Sequence, residues 1–133
     1  MLKTLYIKST IHAVDGDHPE VIEQQFDAEF LQIEDEIQIL YQEGEGEQIS
    51  TVRIFSYENK MIILRNGPIR YQQTYVTGEP TLCKMELPGG QIEVVVKTHS
   101  YFRTSESISC QFTLEESNQM KLGDYQLELE WKL

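Results

Sequence analysis

The 133-residue sequence predicts an all-β fold, an antiparallel up-and-down barrel of about eight to ten strands. Three observations carry that prediction. Hydrophobicity alternates with a period of two, chain-reversing residues recur roughly every 10–14 positions, and no strand–helix–strand alternation is present. A meander of that kind closes naturally into a barrel, because closure leaves no unpaired strand edge. The length fits one domain spanning residues 1–133, and an apolar fraction of 40% with 25% charged residues is ordinary for a chain that builds a core.

In chain order, Leu5, Ile7, Ile11 and Ala13 alternate with mostly polar neighbours and mark a first strand wetted on one face. The stretch from Pro19 to Tyr41 reads two ways. Ile22, Phe26, Phe30, Ile33, Ile37 and Leu40 recur at helical intervals of three and four, with Pro19 at a first helical position. The same residues also alternate as Ile22, Phe26, Ala28 and Phe30, then Ile37, Ile39 and Tyr41, with Glu34-Asp35-Glu36 as a turn. Farther along, Ile69, Tyr71, Gln73 and Tyr75 share one strand face, as do Cys83, Met85 and Leu87, and Ile92, Val94 and Val96. The last two runs are the clearest: Ile108, Cys110, Phe112 and Leu114, then Tyr125, Leu127, Leu129 and Trp131. Between the runs lie Asp15-Gly16-Asp17, Gly44-Glu45-Gly46, Glu58-Asn59-Lys60, Asn66-Gly67-Pro68, Gly78-Glu79-Pro80, Pro88-Gly89-Gly90 and Leu122-Gly123-Asp124, residue types that tolerate or impose a reversal.

The order Val14-Asp15-Gly16, Glu20-Val21-Ile22-Glu23, Ile39-Leu40-Tyr41-Gln42-Glu43, Arg65-Asn66-Gly67, Gln73, Tyr75-Val76-Thr77-Gly78, Thr81 and Gly90-Gln91-Ile92-Glu93 to Thr98 resembles the YwiB-like family of small bacterial β-barrel proteins, a domain of unknown function. The most specific piece is an Arg-x-Gly hairpin followed at fixed distance by Gln-x-Tyr-Val-x-Gly. The resemblance implies a calycin-like, lipocalin-shaped barrel in a cytoplasmic protein, and it resolves Pro19 to Tyr41 as two strands. It implies no activity. No Gly-x-Trp element occurs near the N-terminus, and the single tryptophan, Trp131, lies at the far end, so lipocalin ligand chemistry does not transfer.

Charge narrows the partners. Between Ser9 and Val52 there are twelve acidic residues and no Lys or Arg, which leaves ten acids against eleven bases elsewhere and a net charge of −11. Such a field repels phosphate backbones and anionic lipid, so neither nucleic acid nor membrane is an expected partner. A solvated face that keeps the protein in solution is the simpler reading; a docking face for a basic partner is the other. No apolar run reaches the length of a membrane span, and no secretory leader is apparent. Cys83 and Cys110 fall at apolar strand positions and are read as free, buried thiols.

Few residues suggest chemistry. His12, Asp15, Asp17 and His18 include metal-binding types, but their spacing matches neither an EF-hand nor a zinc motif and coincides with a turn. His99 has no framed nucleophile beside it and is read as a surface histidine. Arg65 at its hairpin could hold an anion through its planar fork, or pair with a neighbouring carboxylate. Tyr71, Gln73 and Tyr75 are the most suggestive set. If their face points inward, it brings two phenols and an amide into an apolar barrel, where each needs a partner from the opposite wall, water or a ligand. Tyr71, Gln73, Tyr75 and Arg65 are therefore the candidate ligand-binding residues. The expected function is noncovalent binding of a small, partly apolar molecule in the barrel mouth, without cofactor, metal or enzymatic activity. The alternative is an interaction module that uses an acidic outer surface around a solid core.

Overall fold

The computed structural model describes residues 1–132 and consists of ten antiparallel strands in one sheet. They are β1 (Leu2–Ala13), β2 (Glu20–Ile33), β3 (Glu36–Glu43), β4 (Ser50–Ser56), β5 (Lys60–Asn66), β6 (Tyr71–Val76), β7 (Thr81–Leu87), β8 (Gly90–Arg103), β9 (Ser107–Glu116) and β10 (Lys121–Trp131). The only helical piece among the described residues is a single 3-10 turn, Gly46–Gln48, between β3 and β4. Except between β6 and β7, each strand pairs with its neighbours in sequence, and β1 pairs with β10, so the two ends of the chain lie side by side. The seam falls mid-chain between β6 and β7. It is stitched by a reciprocal backbone pair between Arg70 and Glu86 and by the Thr81 hydroxyl donating to the Thr74 carbonyl at 2.5 Å. The barrel is thus nearly closed.

Pro19 to Tyr41 forms β2 and β3, joined by a two-residue turn in which Glu34 takes a left-handed φ of 54°. The helical spacing of its apolar residues is overridden because the period-two set Phe26, Ala28, Phe30, Ile37, Ile39 and Tyr41 supplies the inner wall. Cys83 and Cys110 are both free and both buried in the core. Among the described residues, no helix is long and apolar enough to cross a membrane.

Several boundaries differ from the sequence pattern. Leu122-Gly123-Asp124 is not a reversal but the start of β10, where a register shift lies opposite Leu114 and Glu115. The chain turns earlier, at Ser117 to Met120, with Gln119 at φ 72° and the Asn118 side chain accepting from the Met120 N–H. A further turn at Thr104 to Glu106 is held by the Thr104 hydroxyl, which accepts from the Glu106 N–H at 3.2 Å. Neither contains glycine or proline; the signal in each is the weaker one of a Thr-Ser or Ser-Asn pair, whose side chains cap the turn. Ile92 shares a face with Val94 and Val96 yet is 42% exposed, because β8 outruns the core.

Candidate functional site

β6 aims Tyr71, Gln73 and Tyr75 inward, and the pairing of β5 with β6 sets Arg65, Ile63 and Met61 directly opposite them. Pairing through β4 and β3 extends these rows across four strands. Tyr41, Val52, Arg65 and Tyr71 form the layer nearest the mouth; Ile39, Ile54, Ile63 and Gln73 lie beneath it; Ile37, Ser56, Met61 and Tyr75 are deepest. Ile69 departs from its sequence assignment. It precedes β6, is 40% exposed, and belongs to the rim rather than the inner face, because the chain is still leaving the Gly67-Pro68 turn there.

The four predicted residues come together around one interior space. A cavity of about 240 Å³ is bounded by Arg65, Tyr71, Gln73 and Tyr75 on one side and by Phe112 and Tyr125 on the other. Arg65, Tyr71 and Met85 also border an outer vestibule, of about 360 Å³, that opens past Pro68 and Ile69. These three side chains stand between the inner space and the vestibule. The opposite end of the barrel is shut. There the Ser56 and Tyr101 hydroxyls bond to each other, Tyr101 also donates to the Tyr57 carbonyl at 2.7 Å, and Arg103 donates to the Ser56 carbonyl at 2.8 Å.

Polar groups at the mouth form a chain. Gln24 donates to one Glu43 oxygen at 2.8 Å, Arg65 pairs with the other at 2.9 Å, and the Arg65 Nε donates to the Tyr71 hydroxyl at 3.3 Å. Burial works against the Arg65 charge, but Tyr71 and Glu43 more than offset it and hold its pKa above the ordinary value. Deeper in, the Tyr75 hydroxyl donates to the Gln73 Oε1 at 2.5 Å. Burial raises the pKa of Tyr41 and Tyr75 above the usual phenol range. It also pushes the Cys110 thiol up to about 12. These groups are neutral near pH 7, so the interior presents hydrogen-bonding dipoles and one neutralised ion pair.

Glu43, Gln24, Tyr41 and Tyr125 were missed as site residues. The inward phase of Ile37, Ile39 and Tyr41 would have pointed to Glu43, but which strand faces which requires the register. His99 is exposed and lies 2.6 Å from the Thr113 hydroxyl, which donates to Asp124 at 2.6 Å, remote from the interior space. Among the described residues, no three His, Cys, Asp or Glu side chains are grouped to hold a metal.

Residues 5–129 match the family model described as Domain of unknown function (DUF1934). The chain belongs to this family. A relative within reach of the sequence is the uncharacterized beta-barrel protein YwiB of Bacillus subtilis (strain 168), 28% identical over 98 residues, which are 73% of this chain and 67% of that protein. The crystal structure of the ywiB protein from Bacillus subtilis superposes with a TM-score of 0.75 at 22% identity, covering 99% of this chain and 92% of that one. For this member of the DUF1934 family, that likeness establishes the ten-stranded barrel and leaves the use of its interior to the geometry.

Proposed function

We propose that this protein binds one small, partly apolar molecule noncovalently in the mouth of its barrel, in the cytoplasm, as a binding protein rather than an enzyme. The observation that carries this reading is the space of about 240 Å³ between Tyr71, Gln73, Tyr75 and the facing wall. Protein interiors pack like organic crystals and leave few voids larger than a water molecule. A recess of this size, open at the mouth, with apolar side chains among several phenols, amides and one Arg in its lining, matches the form of small-molecule sites. The neutral state of the buried phenols and thiols supports binding over nucleophilic chemistry.

A second reading, an interaction module with an acidic outer surface, is favoured by Leu31 and Ile33, which stand exposed on the outer face of β2 beside Asp27 and Glu29. Native mass spectrometry of protein purified without denaturation separates the two. The expected result is a small bound mass on the native protein and its loss in Leu127→Trp, which fills the interior from β10. A bare protein mass in both preparations would overturn the ligand reading.

A further inference from the structure

We propose that the guest of the barrel mouth is an uncharged aromatic molecule of one or two rings with a single hydrogen-bonding group, of the phenol or indole class. The inference rests on the interior site proposed above and narrows its chemistry by size, wall composition and charge.

Size sets the first limit. An apolar cavity of 150 Å³ takes up one benzene molecule, so a space of about 240 Å³ holds roughly nine or ten non-hydrogen atoms in the same proportion. That is a fused bicycle or a substituted single ring, and it is too small for a long acyl chain. The walls set the second limit. Tyr41, Tyr71, Tyr75, Phe112 and Tyr125 all border the space. Tyr75 meets Phe112 edge-on with centroids 4.8 Å apart, and Phe112 stacks on Tyr125 at 5.2 Å and 9°. A flat ring entering among them extends an existing aromatic series, in the edge-on and offset geometries that such rings prefer. The Tyr41 and Tyr125 hydroxyls make no side-chain hydrogen bond among the described residues, so each is free to meet one polar group on the guest.

Charge decides the rest. Among the described residues, Arg65 is the one charged side chain bordering the inner space, and only Glu43 joins it at the vestibule. The two are paired at 2.9 Å, with Gln24 on the second carboxylate oxygen. The mouth is therefore electrically balanced before any guest arrives. A carboxylate guest that took Arg65 would leave Glu43 unpaired, and a cationic guest that took Glu43 would leave Arg65 unpaired. Stranding either charge in a half-buried site opposes binding. A neutral guest disturbs neither.

The test is an NMR titration of the 15N-labelled full-length protein with size-matched probes: indole, 4-ethylphenol, benzoate, 2-phenylethylammonium and octan-1-ol. Indole and 4-ethylphenol are expected to shift the Gln73 side-chain amide and the Tyr71 and Phe112 backbone amides to saturation. Benzoate, 2-phenylethylammonium and octan-1-ol are expected to bind at least tenfold more weakly. Glu43→Gln unpairs Arg65, and in that variant the ratio of benzoate affinity to indole affinity is expected to rise at least tenfold. Equal binding of octan-1-ol, or equal or tighter binding of either charged probe by the native protein, overturns the proposed chemistry and leaves an interior binding site in place. No shift with any probe overturns the interior site and the inference with it.

Discussion

Gln73 accepts a hydrogen bond from Tyr75 two residues along the same strand, and both side chains are buried. The amide is therefore structural as well as a border of the interior space. Replacing Gln73 with Leu strands the Tyr75 hydroxyl, and an unsatisfied buried donor costs about 1–3 kcal/mol. Tyr75→Phe strands the amide oxygen in the same way, whereas the double variant removes both partners and should cost clearly less than the two single changes together. Urea denaturation of the four proteins checks this, and strictly additive losses would show that the two groups do not depend on each other. At this scale the sequence was informative where period two alone decides orientation. Tyr71, Gln73 and Tyr75 share their face as alternation requires, and Arg65 lies inside with them. Tyr41 and Glu43 were not legible as site residues, because they reach Arg65 only through the pairing of β3 with β4 and β4 with β5. Ile69 follows the alternation but precedes the strand, since a pattern of residue types does not mark where the first ladder bond forms.

Hairpins position the site at the next scale. The turn after β5 carries Arg65 and Tyr71 on its two arms, and Gly67 within it passes close to the chain entering β4. A Cβ at Gly67 would overlap the Ser50 hydroxyl and lie 2.8 Å from the Ser50 Cα and 2.9 Å from the Ile49 carbonyl oxygen. Glycine is needed there for close approach. Gly67→Ala should destabilise the protein by about 1–3 kcal/mol through overpacking, while Gly89→Ala, whose Cβ meets nothing within 4 Å, serves as its control. Thermal melts that place the two variants together would contradict the account of this turn. Reversals containing Gly, Pro or Asn-Gly were readable in the sequence. Those at Thr104 to Glu106 and Ser117 to Met120 were not singled out, because they are made by the Thr104 and Asn118 side-chain oxygens accepting from the Glu106 and Met120 N–H groups, a weaker sequence signal than glycine or proline. The register shift between Thr98 and Ser100 likewise moves Tyr101 toward the barrel floor and leaves Phe102 68% exposed, a change of phase that strict alternation does not foresee.

For the whole molecule, the order of strands places the seam between β6 and β7, beside the residues that border the interior space. The rest of the wall is continuously paired, from β6 back through β1 to β10 and on to β7. A barrel of this kind could be filled by its own side chains or could keep room for one small guest, and alternation in sequence is the same in both cases. Interior volume is the quantity that distinguishes them, and it depends on how seventeen side chains from all around the wall meet. Xenon measures it most directly, since the atom enters apolar cavities and needs no specific recognition. Crystals of the native protein held under xenon pressure are expected to show xenon density between Tyr71, Gln73, Tyr75, Phe112 and Tyr125. A barrel interior occupied throughout by ordered side chains, with no xenon inside it, would contradict the binding account.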